Sequence, residues 1–476
     1  MPTLDWEGKQ KAIEAAKKVP YRLLEYDSSL SCGGGENLIV QGDNLYALKS
    51  LLPFYRGRVK CIYIDPPYNT GSAFEHYDDN LEHSTWLSMM YPRLELLRDF
   101  LSGDGAIFIS INFRDEYHHL RCICDEIFGV KNYVGTLTWE SLTQPTNSGK
   151  AKFGLQIKTE PILCYRNNAD KNIFELTLAQ ETKKYPHIGK FGACRFEVIE
   201  TSDAGTYGRS TMKFKILGQY PREGKRWKIG EETARQLETA GRVEIVNGIV
   251  KKAIYPEDEI GTITYKPFWS HLRADEVGTA QNGKEILNSI MGEAVGFDTV
   301  KPPALIEELI RHLDKNSLVL DAFAGSGTTA HAVINLNAAD GGNRKFILIE
   351  DKDYCKTITA ERVRRVGGNF NFYRLGAKLF DKLGRINRDV TFQQLAAYIW
   401  YKFTKTPYLD EKKSPLIGIH DGAAYYLLRE PLTRKILETL PAYDGAKIIF
   451  GKSCRISAEN LKSLGITFKQ MPKNVR

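Results

Sequence analysis

An apolar run, Val59-Lys60-Cys61-Ile62-Tyr63-Ile64, ends abruptly in Asp65-Pro66-Pro67-Tyr68. Proline has no backbone N–H to donate and its φ is held at about −65°, so neither proline can continue a strand inside a sheet. The run therefore reads as a buried strand, 59–64, that stops at a stiff lip. That lip carries a carboxylate, an unpaired carbonyl and an aromatic ring close together.

The same alternation of strand and turn recurs along the chain. An apolar run at 38–40 leads to Gly42-Asp43-Asn44, a turn that caps a helix over 45–52. Trp86, Met90, Leu94 and Leu97 keep helical spacing, 106–111 is a strand entered through Gly103-Asp104-Gly105, and 118–127 is a helix. Residues 5–18 form an amphipathic helix that Val19-Pro20 stops. Runs at 133–139 and 161–165 alternate like edge strands. From 167 to 258 the rhythm breaks into short β-like runs. It returns with a helix at 303–313, a strand at 317–320, a helix at 328–336 and a strand at 345–349. Repeated strand–helix units with one interruption predict an α/β fold, a doubly wound sheet carrying an inserted domain. The expected parts are 1–166, the insertion 167–258, a second part 259–375 and a small α/β module at 376–476.

Bulk properties narrow the class. A chain of 476 residues suggests two or three domains, and 42% hydrophobic content is enough for a sizeable core. The net charge of +8 suits a polyanionic partner without requiring one. The eight cysteines include Cys122 and Cys124 but no C-x-x-C pair, so neither a metal site nor a disulfide framework is expected. Free thiols fit a cytoplasmic location. The charged N-terminus is not a signal peptide, and no apolar stretch reaches the ~18 residues of a membrane span.

Downstream, Asp321-Ala322-Phe323-Ala324-Gly325-Ser326-Gly327-Thr328-Thr329 follows the strand at 317–320. Glycines let a ligand approach the backbone, and a helix N-terminus favours an anion. The motif is neither a P-loop nor a dinucleotide fingerprint. The next strand ends at Glu350, an acid able to accept hydrogen bonds from ribose hydroxyls. This pairing suits S-adenosylmethionine, with its carboxylate over the helix start and its ribose on Glu350. A tight strand–helix turn explains a G-x-G alone equally well. At the proline lip, Asp65 and the Pro66 carbonyl would accept the two hydrogens of an exocyclic amine such as N6 of adenine, and Tyr68 would stack on the base. Methyl transfer to that nitrogen is an in-line displacement governed by positioning, and it needs no metal. A base inside a duplex is out of reach, so base flipping is implied. A surface turn would also use Pro-Pro, but not directly after a buried strand.

The stretch 37–52, the run Tyr63-Ile64-Asp65-Pro66-Pro67-Tyr68-Asn69-Thr70-Gly71, His83-Ser84-Thr85-Trp86-Leu87, Pro92-Arg93-Leu94, Phe297-Asp298-Thr299-Val300-Lys301-Pro302, the glycine motif and Glu361-Arg362-Val363 stand in one order. Together they resemble the modification (Mod) subunits of type III restriction-modification systems, and equally the solitary adenine-N6 DNA methyltransferases related to them. The resemblance covers roughly 5–375, and the placement of Asp-Pro-Pro-Tyr before the glycines is that of the circularly permuted beta class. It implies an S-adenosylmethionine-dependent methyltransferase fold and methyl transfer to N6 of a flipped adenine in duplex DNA. It further implies that Asp65, Pro66, Pro67 and Tyr68 form the catalytic loop. Asp321, Phe323, Gly325, Gly327 and Thr328 would form the cofactor turn, Glu350 would hold the ribose, and Phe297 and Lys301 would flank the methionine end. Asp43 would face the cofactor adenine, although it reads equally as an ordinary N-cap.

The insertion would be the target-recognition domain. Lys183-Lys184-Tyr185, Arg195-Phe196, Lys213-Phe214-Lys215 and Lys225-Arg226-Trp227-Lys228 interleave cations with aromatics, which suits phosphate contacts and packing on bases or sugars. Lys183, Lys184, Arg195, Lys213, Lys215, Lys225, Arg226 and Trp227 are the candidate DNA contacts. A solvated strand face explains any single cluster. His118-His119, Cys122 and Cys124 read as helix-face and packing residues. The resemblance implies double-stranded DNA as partner, a homodimer, and, in the type III reading, a separate restriction subunit of helicase–nuclease type. The tail is expected to serve dimerisation, DNA or partner contact. Cytosine-N4 methylation and an inactive DNA-binding subunit are the alternatives. Aspartate at 65 favours adenine, since the cytosine enzymes more often carry serine there.

Overall fold

The computed structural model describes residues 3–69, 82–145, 154–175, 177–178, 184–204, 210–260, 265–297, 299–410 and 413–475. The apolar runs become strands of one sheet. In chain order these are β1 (Arg22–Tyr26), β2 (Gly33–Gln41), β3 (Val59–Ile64), β4 (Leu101–Ser110), β5 (Tyr133–Glu140), β6 (Thr159–Arg166), β7 (His271–Leu272), β8 (Leu318–Asp321), β9 (Lys345–Glu350) and β10 (Phe370–Lys378). Their spatial order is β1-β10-β2-β9-β8-β3-β4-β6-β5-β7. From β10 to β4 the neighbours run parallel. β1 is antiparallel to β10, β6 is antiparallel to both β4 and β5, and β7 runs parallel to β5.

Helices cover both faces. On one face α1 (Lys9–Lys18), α2 (Asn44–Tyr55), α3 (His83–Phe100) and α4 (Tyr117–Phe128) enclose a core with Ile62, Ile64, Ile107 and Ile349. Beyond α5 (Ala280–Met291), the other face is covered by α6 (Pro303–Arg311), α7 (Thr328–Asp340) and α8 (Ala360–Arg365), packed on Cys61, Tyr63, Phe108 and Leu348. Side chains along a strand alternate between faces, so β3 sends Ile62 and Ile64 one way and Cys61 and Tyr63 the other. A strand covered on both faces must be apolar throughout, which is why 59–64 shows no clean alternation.

The runs 133–139 and 161–165, read as edge strands, are internal instead. β6 lies between β4 and β5, with Leu163 and Tyr165 in one core and Ile162 and Cys164 in the other. Double coverage, not an edge, sets its composition. β10 runs on to Lys378, so the sheet's last strand crosses the expected boundary at 375.

The chain divides into two compact units, Met1–Glu175 with Phe268–Arg476, and Leu176–Pro267. In the first, β10 is followed by α9 (Phe392–Thr404) and a four-stranded sheet, β11 (Leu416–His420), β12 (Ala423–Leu427), β13 (Ala446–Gly451) and β14 (Ile466–Gln470), in sequential order. Only β11–β12 is antiparallel. Phe54 of α2 packs into the core that α9 shares with this sheet, and the Arg56 guanidinium donates to the Tyr401 hydroxyl at 2.9 Å. The second unit has its own core, Ile199, Phe214, Ile216, Trp227, Ala234, Val243 and Val250. A four-stranded antiparallel sheet, ordered Val243–Val246, Ile249–Ile254, Gly192–Val198 and His187–Gly189, is its main element.

Candidate active site

Four neighbouring strands, β2, β9, β8 and β3, end on one edge of the sheet, and each delivers an acid there. Asp43 follows β2, Glu350 closes β9, Asp321 closes β8 and Asp65 follows β3. In open α/β sheets ligands bind beyond the carboxyl ends of the strands, where chain order and spatial order part company. Here β8 and β9 enter the sheet between β2 and β3. A cavity of about 450 Å³ opens at this edge, lined by the four acids with Phe297, Lys301, Phe323 and Tyr354.

The glycine turn is held from behind. The fully buried Asp321 accepts the Phe323 N–H at 2.9 Å and the Thr329 hydroxyl at 2.5 Å. Burial dominates over those two bonds and pushes its carboxyl up to about 7. Glu350 accepts the Gly325 N–H at 2.8 Å and the Lys352 N–H at 3.1 Å, and burial raises its carboxyl as well. Gly325, Ser326 and Thr328 line the cavity. Gly327 stands behind it as the N-cap of α7, at φ 83°, where an added Cβ would lie 3.3 Å from the Thr359 carbonyl oxygen. Arg362 is wholly buried and donates to the Ser326 hydroxyl at 2.8 Å and the Thr328 hydroxyl at 2.9 Å. Burial pulls its guanidinium down to about 9. His331, whose Nδ1 lies 3.3 Å from that guanidinium, is held to about 4 by burial and by the neighbouring charge, so it is neutral at pH 7.

The proline lip is braced at Asp65, Pro67, Tyr68 and the following Asn69. The Trp86 indole N–H donates to the Pro67 carbonyl at 2.8 Å. The Tyr68 hydroxyl donates to Glu160 at 2.9 Å. Asn69, at φ 60°, donates to the buried Glu116 at 2.7 Å. Lys301 reaches Asp65 itself, with its ammonium 3.0 and 2.9 Å from the two carboxylate oxygens and 3.6 Å from Glu160. Its segment is pressed against α5, where an added Cβ at Gly283 would lie 2.1 Å from the Val300 carbonyl oxygen.

The structure thus brings together Asp65, Pro66, Pro67, Tyr68, Asp43, Phe297, Lys301, Asp321, Phe323, Gly325, Thr328 and Glu350 around one cavity. Asp43 does two things at once. One oxygen caps α2 through the Leu45 and Tyr46 N–H groups, and the other pairs with Arg93 at 3.1 Å. Glu160, Glu116 and Arg362 went unassigned in the sequence. Glu160 lies on β6, 92 residues past Tyr68, and no spacing rule connects them. Glu116 joins His83 and His119 as a metal-capable trio. Its oxygens lie 2.6 and 2.8 Å from the two imidazole Nδ1 atoms, which is hydrogen-bond geometry. Two ligands of one tetrahedral metal ion stand about 3.4 Å apart at ordinary bond lengths.

Of the candidate DNA contacts, Lys183 lies outside the described residues. Lys184 is exposed. Arg195 is engaged bidentately by Glu259, at 3.1 and 2.8 Å. Lys213 and Arg226 both pair with Asp203. The Lys215 ammonium stands over the Tyr220 ring, and Lys225 sits on the short strand Lys225–Trp227. Trp227 leaves the set. It is fully buried, its indole donating to the Phe214 carbonyl at 2.7 Å, so its ring is core and not a surface for a base.

Residues 59–361 match the DNA methylase family. The type III restriction-modification enzyme StyLTI Mod subunit of Salmonella typhimurium strain LT2 is 32% identical over 72% of this chain and 56% of its own length. Two further type III Mod subunits are matched over 64% and 65% of theirs, so the chain spans less than two thirds of these relatives. The type II methyltransferase M.KpnI of Klebsiella pneumoniae is 30% identical over 65% of this chain and 79% of its own length. The solved PvuII DNA methyltransferase (cytosine-N4-specific) covers 70% of this chain and 94% of its own, at 14% identity and a TM-score of 0.37.

Proposed function

Because the chain belongs to the DNA methylase family, we propose that it is an S-adenosylmethionine-dependent enzyme that methylates N6 of an adenine flipped out of duplex DNA. The observation that carries this reading is the meeting of two motifs. Asp65-Pro66-Pro67-Tyr68 and the Glu350-braced glycine turn lie more than 250 residues apart in sequence and line one cavity. The lining fits the cofactor's chemistry. Carboxylates attract a sulfonium cation, while Phe297, Phe323 and Tyr354 offer apolar walls to a purine. When bound, S-adenosylmethionine supplies the methyl group. Glu350 would hold the ribose hydroxyls, and the Gly325-Ser326-Gly327 turn would receive the amino-acid end. Phe297, whose ring meets Tyr354 edge-on at 5.0 Å, would bound the cavity beside it. Asp65 would accept a hydrogen of the target amine, leaving the nitrogen lone pair aimed at the methyl carbon, and Tyr68 would stack on the base. The rate gain comes from this orientation.

Leu176–Pro267 would read the target sequence, using Lys184 and the strand-borne cations in place of Trp227. The kinship with type III Mod subunits supports a separate restriction subunit as partner. A homodimer and residues 376–476 as a docking module are part of the same proposal. A DNA substrate and eight free cysteines fit a reducing cytoplasm. Among the described residues, no helix is long and apolar enough to cross a membrane.

The deciding experiment is mass spectrometry of nucleosides after incubating the purified chain with labelled S-adenosylmethionine and mixed-sequence duplex DNA. Labelled N6-methyladenine is expected. Labelled N4-methylcytosine would overturn the base assignment, and no label on any base would overturn the enzymatic reading.

A further inference from the structure

Lys301 holds both oxygens of Asp65, the acceptor that the target amine needs. Its side chain is only 10% exposed, so an ammonium that gave up Asp65 without a second partner would be a buried, uncompensated charge, which is costly. A second carboxylate stands ready. Glu160 Oε2 is 3.6 Å away, an ion-pair distance just beyond a hydrogen bond. The ammonium lies over the rings of Tyr68 at 5.0 Å and Trp139 at 5.6 Å, which favour a cation at this spot. The lysine stem is flexible, and a displacement of under ~1 Å closes the bond to Glu160.

Resting on the amine-methylation reading above, we propose that Lys301 is an exchangeable place-holder and Glu160 its second seat. In the empty site Lys301 occupies the position of the target amine on Asp65. When the flipped base arrives, its N–H takes over Asp65 and Lys301 shifts to Glu160. No bond is made or broken, and the active site keeps the same net charge throughout. The exchange keeps Asp65 compensated while the site is empty. Because Glu160 also holds the Tyr68 hydroxyl, the shift reaches the stacking ring. Lys301 and Glu160 are thus positioning residues that set how readily a base is captured.

The test uses the full chain and its own target site, mapped by sequencing the DNA it methylates. A duplex carrying 2-aminopurine at the target position reports base capture by fluorescence, alongside kcat and KM on the unmodified duplex. Glu160→Gln keeps an acceptor for Tyr68 but removes the charge, so Lys301 should stay on Asp65. Base capture and kcat/KM are expected to fall about tenfold. Lys301→Met removes the competitor, and base capture should equal or exceed that of the wild type. The decisive result is the double variant. Glu160→Gln combined with Lys301→Met should regain the base capture of Lys301→Met alone, a rescue that a merely structural role does not produce. Additive losses in the double variant would overturn the proposal. So would a Lys301→Met variant that weakens S-adenosylmethionine binding by calorimetry while base capture falls. Should Glu160→Gln lose the fold, Lys301→Met alone decides, since base capture below wild type overturns the proposal. Wild-type protein that methylates no adenine overturns the functional reading itself, a failure separate from these.

Discussion

Single carboxylates in this protein take opposite characters from their surroundings. Asp65 is compensated by an ammonium, whereas Asp321 is sealed in apolar surroundings and carries a carboxyl raised to about 7. For Asp321 the sign follows from its two states. The folded protein keeps a proton that the unfolded chain, at an ordinary 3.8, releases. Its contribution to stability is therefore present in acid and is lost as pH rises from about 4 through 7. Asp321→Asn retains acceptor and donor toward Phe323 and Thr329 without the ionisation. It should raise the melting temperature at pH 8 and change it little at pH 4. The gain should be up to roughly 4 kcal/mol, measured by calorimetric melts across that window. Asp65→Ala should lower kcat by at least roughly a hundredfold, while duplex affinity in a mobility-shift titration stays within about threefold. A variant retaining wild-type kcat would sink the catalytic role proposed for the lip.

At the scale of elements, the site depends on segments clamped from outside. Arg362 of α8 donates from one nitrogen, Nη1, to the hydroxyls of both Ser326 and Thr328, and among the described residues no carboxylate pairs with it. Arg362→Lys keeps the charge on a shorter side chain with one terminal nitrogen, so it loses the reach of Nη1 to the two hydroxyls and the Nη2 contact with His331. The glycine turn should loosen, with stability falling by about 2 kcal/mol in denaturant titration and S-adenosylmethionine affinity falling with it. Unchanged cofactor affinity would show that the turn holds its shape without this arginine. Gly283 is the second clamp. A methyl group there meets the Val300 carbonyl, so Gly283→Ala must push α5 away from the segment that carries Lys301. Methylation should fall about tenfold or more, while α5 itself gains helix propensity. A Gly283→Ala enzyme of full activity would show that this contact relaxes without consequence.

At the scale of the whole molecule, the chain leaves the first unit and returns to it at a single place. Phe174 and Phe268, which flank the 176–267 unit, meet edge-on with ring centroids 5.2 Å apart. A short glycine–serine bridge can therefore replace 176–267 without stretching the sheet. The shortened protein should melt cooperatively and bind S-adenosylmethionine with an affinity within about threefold of the full chain. It should lose sequence-selective DNA binding. Retained selectivity in a competition titration would place target reading elsewhere.

The local elements of the site were legible in the sequence because each is signalled over a few residues. Two prolines end a strand, glycines turn a strand into a helix, and an acid closes the next apolar run. Double burial, too, is visible in β3 as the apolar run Cys61-Ile62-Tyr63-Ile64. What the sequence could not display is which distant residues share a cavity. Glu160 is an ordinary acid just before a run that resembled an edge strand, and Arg362 stood in the Glu361-Arg362-Val363 motif with no role attached. Trp227 looked like a nucleic-acid contact because its neighbours are cationic, yet it fills a core. Strand and helix signals are set by neighbours in the chain, so sequence alone determined the α/β rhythm and the two motifs. The pairing of Lys301 with Asp65, the buried Arg362 and the place of Glu160 depend on strand order, which sets β9, β8, β3, β4 and β6 next to one another in that sequence. Only the tertiary structure could decide them, because the energy of a buried charge depends on what surrounds it and not on what precedes it in the chain.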